Sequence, residues 1–193
     1  VTNVAAVDRW SRTHEALRTA ALELFATQGY DATGTAEIAA RAGVSEMTLF
    51  RHFPAKEALL LEDPFDPLMA EAVRSRPPGE PAMRALTTGI RAVWNGIDTD
   101  AAEALRARLR ILAGASGLHG AIERNSAATS DALVVALVAR GSSEVGARVA
   151  ATAVIAGLGV ALLEWAQSDE PDPAAVLAAA LDALGGGVDA ALR

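Results

Sequence analysis

The stretch from Gly29 to Leu60, GYDATGTAEIAARAGVSEMTLFRHFPAKEALL, restricts this chain more than any other, because helix starts, apolar anchors and breakers follow one another closely in it. A first turn opens at Thr33 or Gly34, where a threonine oxygen can accept from a free amide and Glu37 lies near the positive end of the helix dipole. Ile38, Ala39 and Ala42 give this helix a short apolar face, and Gly43 supplies the left-handed residue that ends it. Val44 fills the space between helices and Ser45 caps the next one. Leu49 and Phe53 anchor that second helix, while Glu46, Met47, Thr48, Arg51 and His52 decorate it. Pro54 stops it and Lys56 begins another. Two short helices across a glycine turn make the unit that lays its second helix in the major groove of duplex DNA. Lys56 is the only lysine in the chain. Placed near a helix N-terminus, where amides and dipole favour an anion, its ammonium is expected to complete a phosphate site.

The rest reads as helix throughout, with proline and glycine falling between the patterns and no strand-like alternation. Leu17, Ala20, Ala21, Leu24 and Phe25 define a first helix ending near Gly29. Pro64 and Pro67 interrupt the continuation of the Lys56 helix and mark a candidate hinge. A short helix over 68–76 precedes the loop Arg76 to Pro81. Met83, Leu86, Ile90, Val93, Trp94 and Ile97 trace one helical face, and Leu105, Leu109 and Leu112 another. Arg106, Arg108 and Arg110 interleave with the latter and could suit an anionic ligand or nucleic acid, but solvated helix faces and ion pairs with Asp98, Asp100 or Glu103 are the commoner explanation. The pattern from Leu118 through Ile122, Leu133, Leu137 and Val138 stops at Gly141, and helices over about 144–168 and 173–185 follow.

Composition sets the outer bounds. There are 193 residues, 51% of them hydrophobic, enough for one large or two small domains with a sizeable core. With no cysteine, disulfides and thiolate chemistry are excluded. A net charge of −7 argues against membrane surfaces and a broad nucleic-acid coat. Residues 1–62 carry six basic side chains (Arg9, Arg12, Arg18, Arg41, Arg51, Lys56) against eight acidic ones (Asp8, Glu15, Glu23, Asp31, Glu37, Glu46, Glu57, Glu62), so any DNA contact there depends on local clustering. Arg9 and Arg12 suit either an N-terminal arm or a frayed end. Val1 to Arg12 lacks the apolar centre of a signal peptide, and the uncharged run Val149 to Leu163 is shorter than the roughly twenty residues of a spanning helix. A buried helix and cytoplasmic residence are the expectation, with no membrane partner. His14, His52 and His119 lack metal-ligand spacing, and no nucleophile elbow or phosphate loop is present. No catalysis, cofactor or metal is expected.

Gly29-Tyr30, Thr33, Ile38-Ala39, Ala42-Gly43-Val44-Ser45, Thr48-Leu49, His52-Phe53 and Lys56-Glu57-Ala58-Leu59-Leu60 resemble the DNA-binding domain of TetR-family transcriptional regulators over residues 12 to 62. The resemblance implies an all-α protein: a three-helix helix-turn-helix DNA-binding domain over 1–62 and a larger helical ligand-binding and dimerisation domain over 63–193. It implies a homodimer that binds an inverted repeat in double-stranded DNA and represses until a small apolar effector releases it. By the same likeness Thr33, Thr35 and Thr48 become candidate DNA contacts, Ser45 the cap, Glu46, Met47 and Arg51 readers or flankers of base edges, and His52 and Lys56 backbone contacts. Phe50 stands where the family more often has tyrosine, and Met47 where glycine is common, so a phosphate-bonding hydroxyl is missing and bulk is added at the groove.

For the effector pocket the resemblance points to the helices from 83 to 138, with Met83, Trp94, Leu109, Leu112, Leu118 and Ile122 as lining and His119 as a polar anchor. Ala153, Gly157 and Ala161, four apart beside Leu158, allow close helix approach. With Leu177 and Leu181 of the last helix they form half of an intersubunit four-helix bundle, or else pack wholly within one subunit. Two alternatives stay open: a module of this shape with weak or no DNA affinity, suggested by the acidic first domain, and a helical enzyme.

Overall fold

The computed structural model describes residues 2–63 and 65–185, and every regular element among them is a helix. The chain divides into two compact units, residues up to 62 together with 110–121, and 63–109 together with the residues from 122 on. Residues 110–121 thus group with the N-terminal helices, which a linear division at 62 does not foresee.

The first unit holds α1 (Thr2–Gln28), α2 (Thr35–Arg41), α3 (Glu46–His52) and α4 (Ala58–Leu61). α1 packs on α2 and α4, and α2 on α3. Leu17, Ala21 and Phe25 of α1 meet the core made by Ile38, Leu49, Phe53, Leu59 and Leu60, all buried; each large side chain contributes about 1.5–3 kcal/mol by leaving water. Arg9 and Arg12 are exposed positions within α1, which replaces both the arm and the frayed end with continuous helix. The helix expected to begin at Lys56 begins at Ala58, and Lys56 stands in the turn before it.

The second unit is built from α5 (Phe65–Arg74), α6 (Ala82–Trp94), the first part of α7 (Thr99–Gly114), α8 (His119–Ala139) from Ile122 on, α9 (Glu144–Gln167) and α10 (Pro173–Gly185). α6 is central, packing on α5, α9 and α10, and α9 packs on α10. Val73, Leu86, Ile90, Trp94, Leu133, Leu137, Val154, Leu158, Trp165, Leu177 and Leu181 are buried. Ile97 falls beyond the end of α6. Pro64 lies outside the described residues. Pro67 does not break the chain: it sits in the first turn of α5, where no amide is needed for the helix, and the Phe65 amide donates to Asp63 Oδ1 at 2.9 Å. The loop before α6 is tied down by Arg140, which donates to the carbonyls of Arg76 and Pro77.

α9 is 24 residues long and, by length and composition alone, apolar enough to cross a membrane. Its uncharged run, Val149 to Leu163, is shorter than the helix itself. Ala147, Ala150, Ala151, Val154, Leu158, Ala161, Trp165 and Ala166 are buried against the rest of the chain, as in a core helix.

Candidate nucleic-acid interface

The helix pair is assembled locally. Gly43 adopts φ +72°, and the amides of Gly43 and Val44 close the end of α2 on the carbonyls of Ala40 and Ala39 at 3.1 and 2.9 Å. A side chain at Gly43 would be strained, so the turn requires glycine. Ser45 Oγ accepts the Thr48 amide at 3.2 Å and lies 2.9 Å from the Thr48 hydroxyl, capping α3 as its position in the sequence foretells. Leu49 and Phe53 fix one face of α3 in the core. Glu46, Met47, Phe50 and Arg51 are exposed on it, with Met47 75% and Phe50 46% accessible. An α-helix about 10–12 Å across matches a major groove about 12 Å wide.

Several expected contacts are engaged inside the unit. Thr33 is buried, and its hydroxyl donates to the Gly29 carbonyl at 2.8 Å rather than capping α2, whose N-cap, Gly34, makes no side-chain bond. It therefore offers no surface to a ligand. Thr35 donates its hydroxyl to Glu46, joining α2 to α3. Arg41 pairs with Glu23 at 2.7 Å. Arg51 has no ion-pair partner among the described residues.

Lys56 departs furthest from expectation. Its ammonium donates to the carbonyls of Tyr30 at 2.8 Å and Thr33 at 3.0 Å and lies 4.1 Å from the centre of the Tyr30 ring. It is a staple across the turn between α1 and α2, not an open phosphate site. The cation spends two of its three protons on carbonyls and its field on a π face. Burial, with Glu57 and Asp31 nearby, pushes the Tyr30 phenol up to about 12.

Sequence reasoning also missed an aromatic stack. Trp10 of α1 stacks on His14 and on His52, each at 4.8 Å, and His14 stacks on Phe53 at 4.1 Å. Trp10 and His14 stand one helical turn apart, a spacing that is legible only once their partner on α3 is known. Burial lowers the basicity of His52, helped by Arg51; burial lowers that of His14, helped by Arg18 and His52 and opposed by Glu15. His14 Nε2 lies 3.5 Å from Glu62.

The expected effector residues fall in both units. Met83, Trp94, Leu109 and Ile122 belong to the second unit, while Leu112, Leu118 and His119 belong to the first. His119 is exposed and its Nδ1 lies 2.6 Å from the Ser116 carbonyl, so it works as a local turn bond, not as an anchor inside a pocket. Trp94 is buried and stacks on Phe65 at 4.9 Å. Met83 lines a cavity of about 390 Å³ with Thr87, Thr88, Arg91 and Asp182. Arg108 pairs with Asp63 in a largely buried setting. Arg106 donates to the carbonyls of Ser168 and Glu170 and lies over Trp165 at 4.3 Å. Asp66 accepts from Thr129 at 2.9 Å; burial pushes its carboxyl up to about 6 against the pull of that bond, with Asp63 raising it and Arg108 lowering it.

The residues expected at a dimer interface are mostly interior. Leu158, Ala161, Leu177 and Leu181 are buried within the chain, and Ala153 is half-buried. Gly157 faces Leu184 of α10 so closely that a Cβ would lie 2.9 Å from Leu184 Cδ1. Gly157 therefore serves α9–α10 packing within one chain. The outer face of α9 instead exposes Val145, Val149, Val160 and Leu163.

A profile of bacterial regulatory proteins of the tetR family matches residues 17–62, and one of the MftR C-terminal domain matches residues 80–189. The HTH-type transcriptional regulator TcmR of Streptomyces glaucescens is 39% identical over 84 residues, which cover 42% of this chain and 37% of that protein. The match thus spans little more than a third of this curated relative. Among solved structures, a TetR-family regulator from Streptomyces coelicolor superimposes with a TM-score of 0.56 at 24% identity, covering 91% of this chain and 96% of the other. FadR from Bacillus subtilis, solved in complex with stearoyl-CoA, gives a TM-score of 0.55 at 22% identity over 90% and 98%. At these identities the structures share the fold.

Proposed function

The chain belongs to the tetR family of bacterial regulatory proteins, and we propose that it is a dimeric, ligand-responsive transcriptional regulator that represses by holding an inverted repeat in duplex DNA. The observation that carries this is α3: capped by Ser45, anchored by Leu49 and Phe53, and bare on the side bearing Glu46, Met47, Phe50 and Arg51. Arg51 is the side chain for guanine or phosphate, and Met47 and Phe50 suit thymine methyl groups. Ser45, Thr35 and Thr48 stand at the edge of this surface as polar contacts, Thr35 once it exchanges Glu46 for the duplex.

Dimerisation is assigned to the exposed α9 face, where Val145, Val149, Val160 and Leu163 stand apolar in water. A second copy would cover them and set two α3 helices about 34–36 Å apart, one turn of duplex. The effector is a small, largely apolar molecule taken by the second unit; Met83, Trp94, Leu109 and Ile122 remain its candidate contacts. A fold neighbour that binds an acyl thioester supports that class. The effector acts by favouring a state whose reading helices are misspaced, through its differential affinity for the two states. The protein acts in the cytoplasm, as a regulator and not as an enzyme.

A second reading has a specific observation in its favour. Lys56 is stapled, Arg41 is paired and burial lowers the basicity of His52, so the cationic surface near α3 is thin. On this reading the shape persists with weak DNA affinity. A salt titration of binding to duplex fragments separates the two: a regulator gives a preferred sequence with a linear fall of log K against log salt, and the weak module gives no preference at any salt.

A further inference from the structure

We propose that Trp10 is a positioning residue for DNA recognition, holding the His52 imidazole in one plane so that its Nε2–H is presented to a phosphate oxygen of the duplex. The proposal rests on the regulator reading and extends it to a residue outside the helix-turn-helix.

His52 is the last residue of α3 and lies against α1. Its ring is 4.8 Å from the Trp10 indole with an interplanar angle of 28°, and Trp10 in turn lies 4.8 Å from His14, at 20°, whose ring rests 4.1 Å from Phe53. Phe53 is fully buried, so the stack is founded on the core and reaches His52 through Trp10, which is 50% exposed. An imidazole at a helix end with no such support rotates freely about its terminal bond, a torsion with broad minima. Stacking on Trp10 removes that freedom during folding, before DNA arrives.

The tautomer follows from burial. His52 Nδ1 is enclosed and has no hydrogen-bond partner among the described residues. An orphaned N–H is rarer, and costs more, than an unused lone pair, so the proton of the neutral ring belongs on Nε2. Burial, with Arg51 beside it, favours the neutral ring. His52 is thus a preset neutral donor, and Trp10 fixes the direction in which it donates. Since no charge is added, the contact releases no counterion.

The test measures binding of the full-length wild type, Trp10→Ala, Trp10→Leu, Trp10→Phe and His52→Ala to a duplex selected by the wild type, across a salt series at pH 7.5. Trp10→Ala and Trp10→Leu are expected to weaken binding by about 2- to 10-fold, the range of an aromatic stacking contact. Trp10→Phe should restore it to within about twofold of the wild type, and the salt slope should not change in any of them. In the His52→Ala background, Trp10→Ala should cost nothing more. Leucine keeps apolar cover without a plane, so it separates stacking from packing if alanine perturbs the fold. Equal affinity for wild type and Trp10→Leu, or the same loss with and without His52, overturns the proposal. Failure of the wild type to select any duplex sinks the regulator reading first, and this inference with it.

Discussion

Replacing Lys56 by methionine separates the phosphate site expected from sequence from the staple found in the structure. Methionine keeps the aliphatic stem and removes the ammonium. Two carbonyls, of Tyr30 and Thr33, lose charge-assisted donors at 2.8 and 3.0 Å, and the Tyr30 ring loses a cation at 4.1 Å. Hydrogen bonds to a charged group are worth about 1.5–3 kcal/mol each in a protected setting. Lys56 is only half-buried, so water recovers part of that, and about 2–3 kcal/mol is the expected loss, the cation–π contact included. Urea unfolding of the variant, followed by circular dichroism and read as a midpoint shift at unchanged slope, measures it. DNA binding measured well below the midpoint should keep its salt slope, because the wild-type cation is turned inward. An unchanged midpoint together with a salt slope lower by about 1 would refute the staple and restore the phosphate contact.

Asp66→Asn should stabilise the protein at pH 7.5 and lose that advantage near pH 4. The folded carboxyl titrates near 6 against an ordinary 3.8, so its favourable contribution is complete below the lower value and is lost as pH rises through the upper one. The rise from 3.8 to about 6 corresponds to about 3 kcal/mol, discounted to about 1–2 for partial solvent access; thermal melts at both pH values check it, and a destabilised variant at pH 7.5 would contradict the burial argument. Val149→Arg should shift sedimentation toward monomer with little change in helicity, since Val149 is exposed in one chain. Leu158→Ala should instead cost about 2–5 kcal/mol of stability, because Leu158 is core within the chain; the reverse pattern would return the small-residue stripe to the interface.

What could be read from the sequence was local. The Ser45 cap, the Gly43 turn and the Leu49 and Phe53 anchors depend on residues within one turn of each other, so spacing sufficed. The boundaries of α9 and α10 followed in the same way from apolar pattern and punctuation. Lys56 was misjudged because its partners lie 26 and 23 positions back, and nothing in a helix-start pattern says that an ammonium will turn toward carbonyls of an earlier turn. Asp63 and Arg108, 45 positions apart, were likewise paired by packing alone. Ala153, Gly157 and Ala161 carry a true signal of close helix approach, but periodicity does not say whether the approaching helix belongs to the same chain. Trp10 escaped because an exposed tryptophan on an outer helix has no local cue to its ring partners.

The most direct test of the account is selection of duplexes from a random pool by the purified protein, with quantified affinity for the enriched sequence and for the same sequence with one half-site scrambled. The account predicts an inverted repeat, a loss on scrambling either half, and a loss of preference in Arg51→Ala. Enrichment of no sequence at low salt, or of single half-sites bound as tightly as the pair, would contradict it.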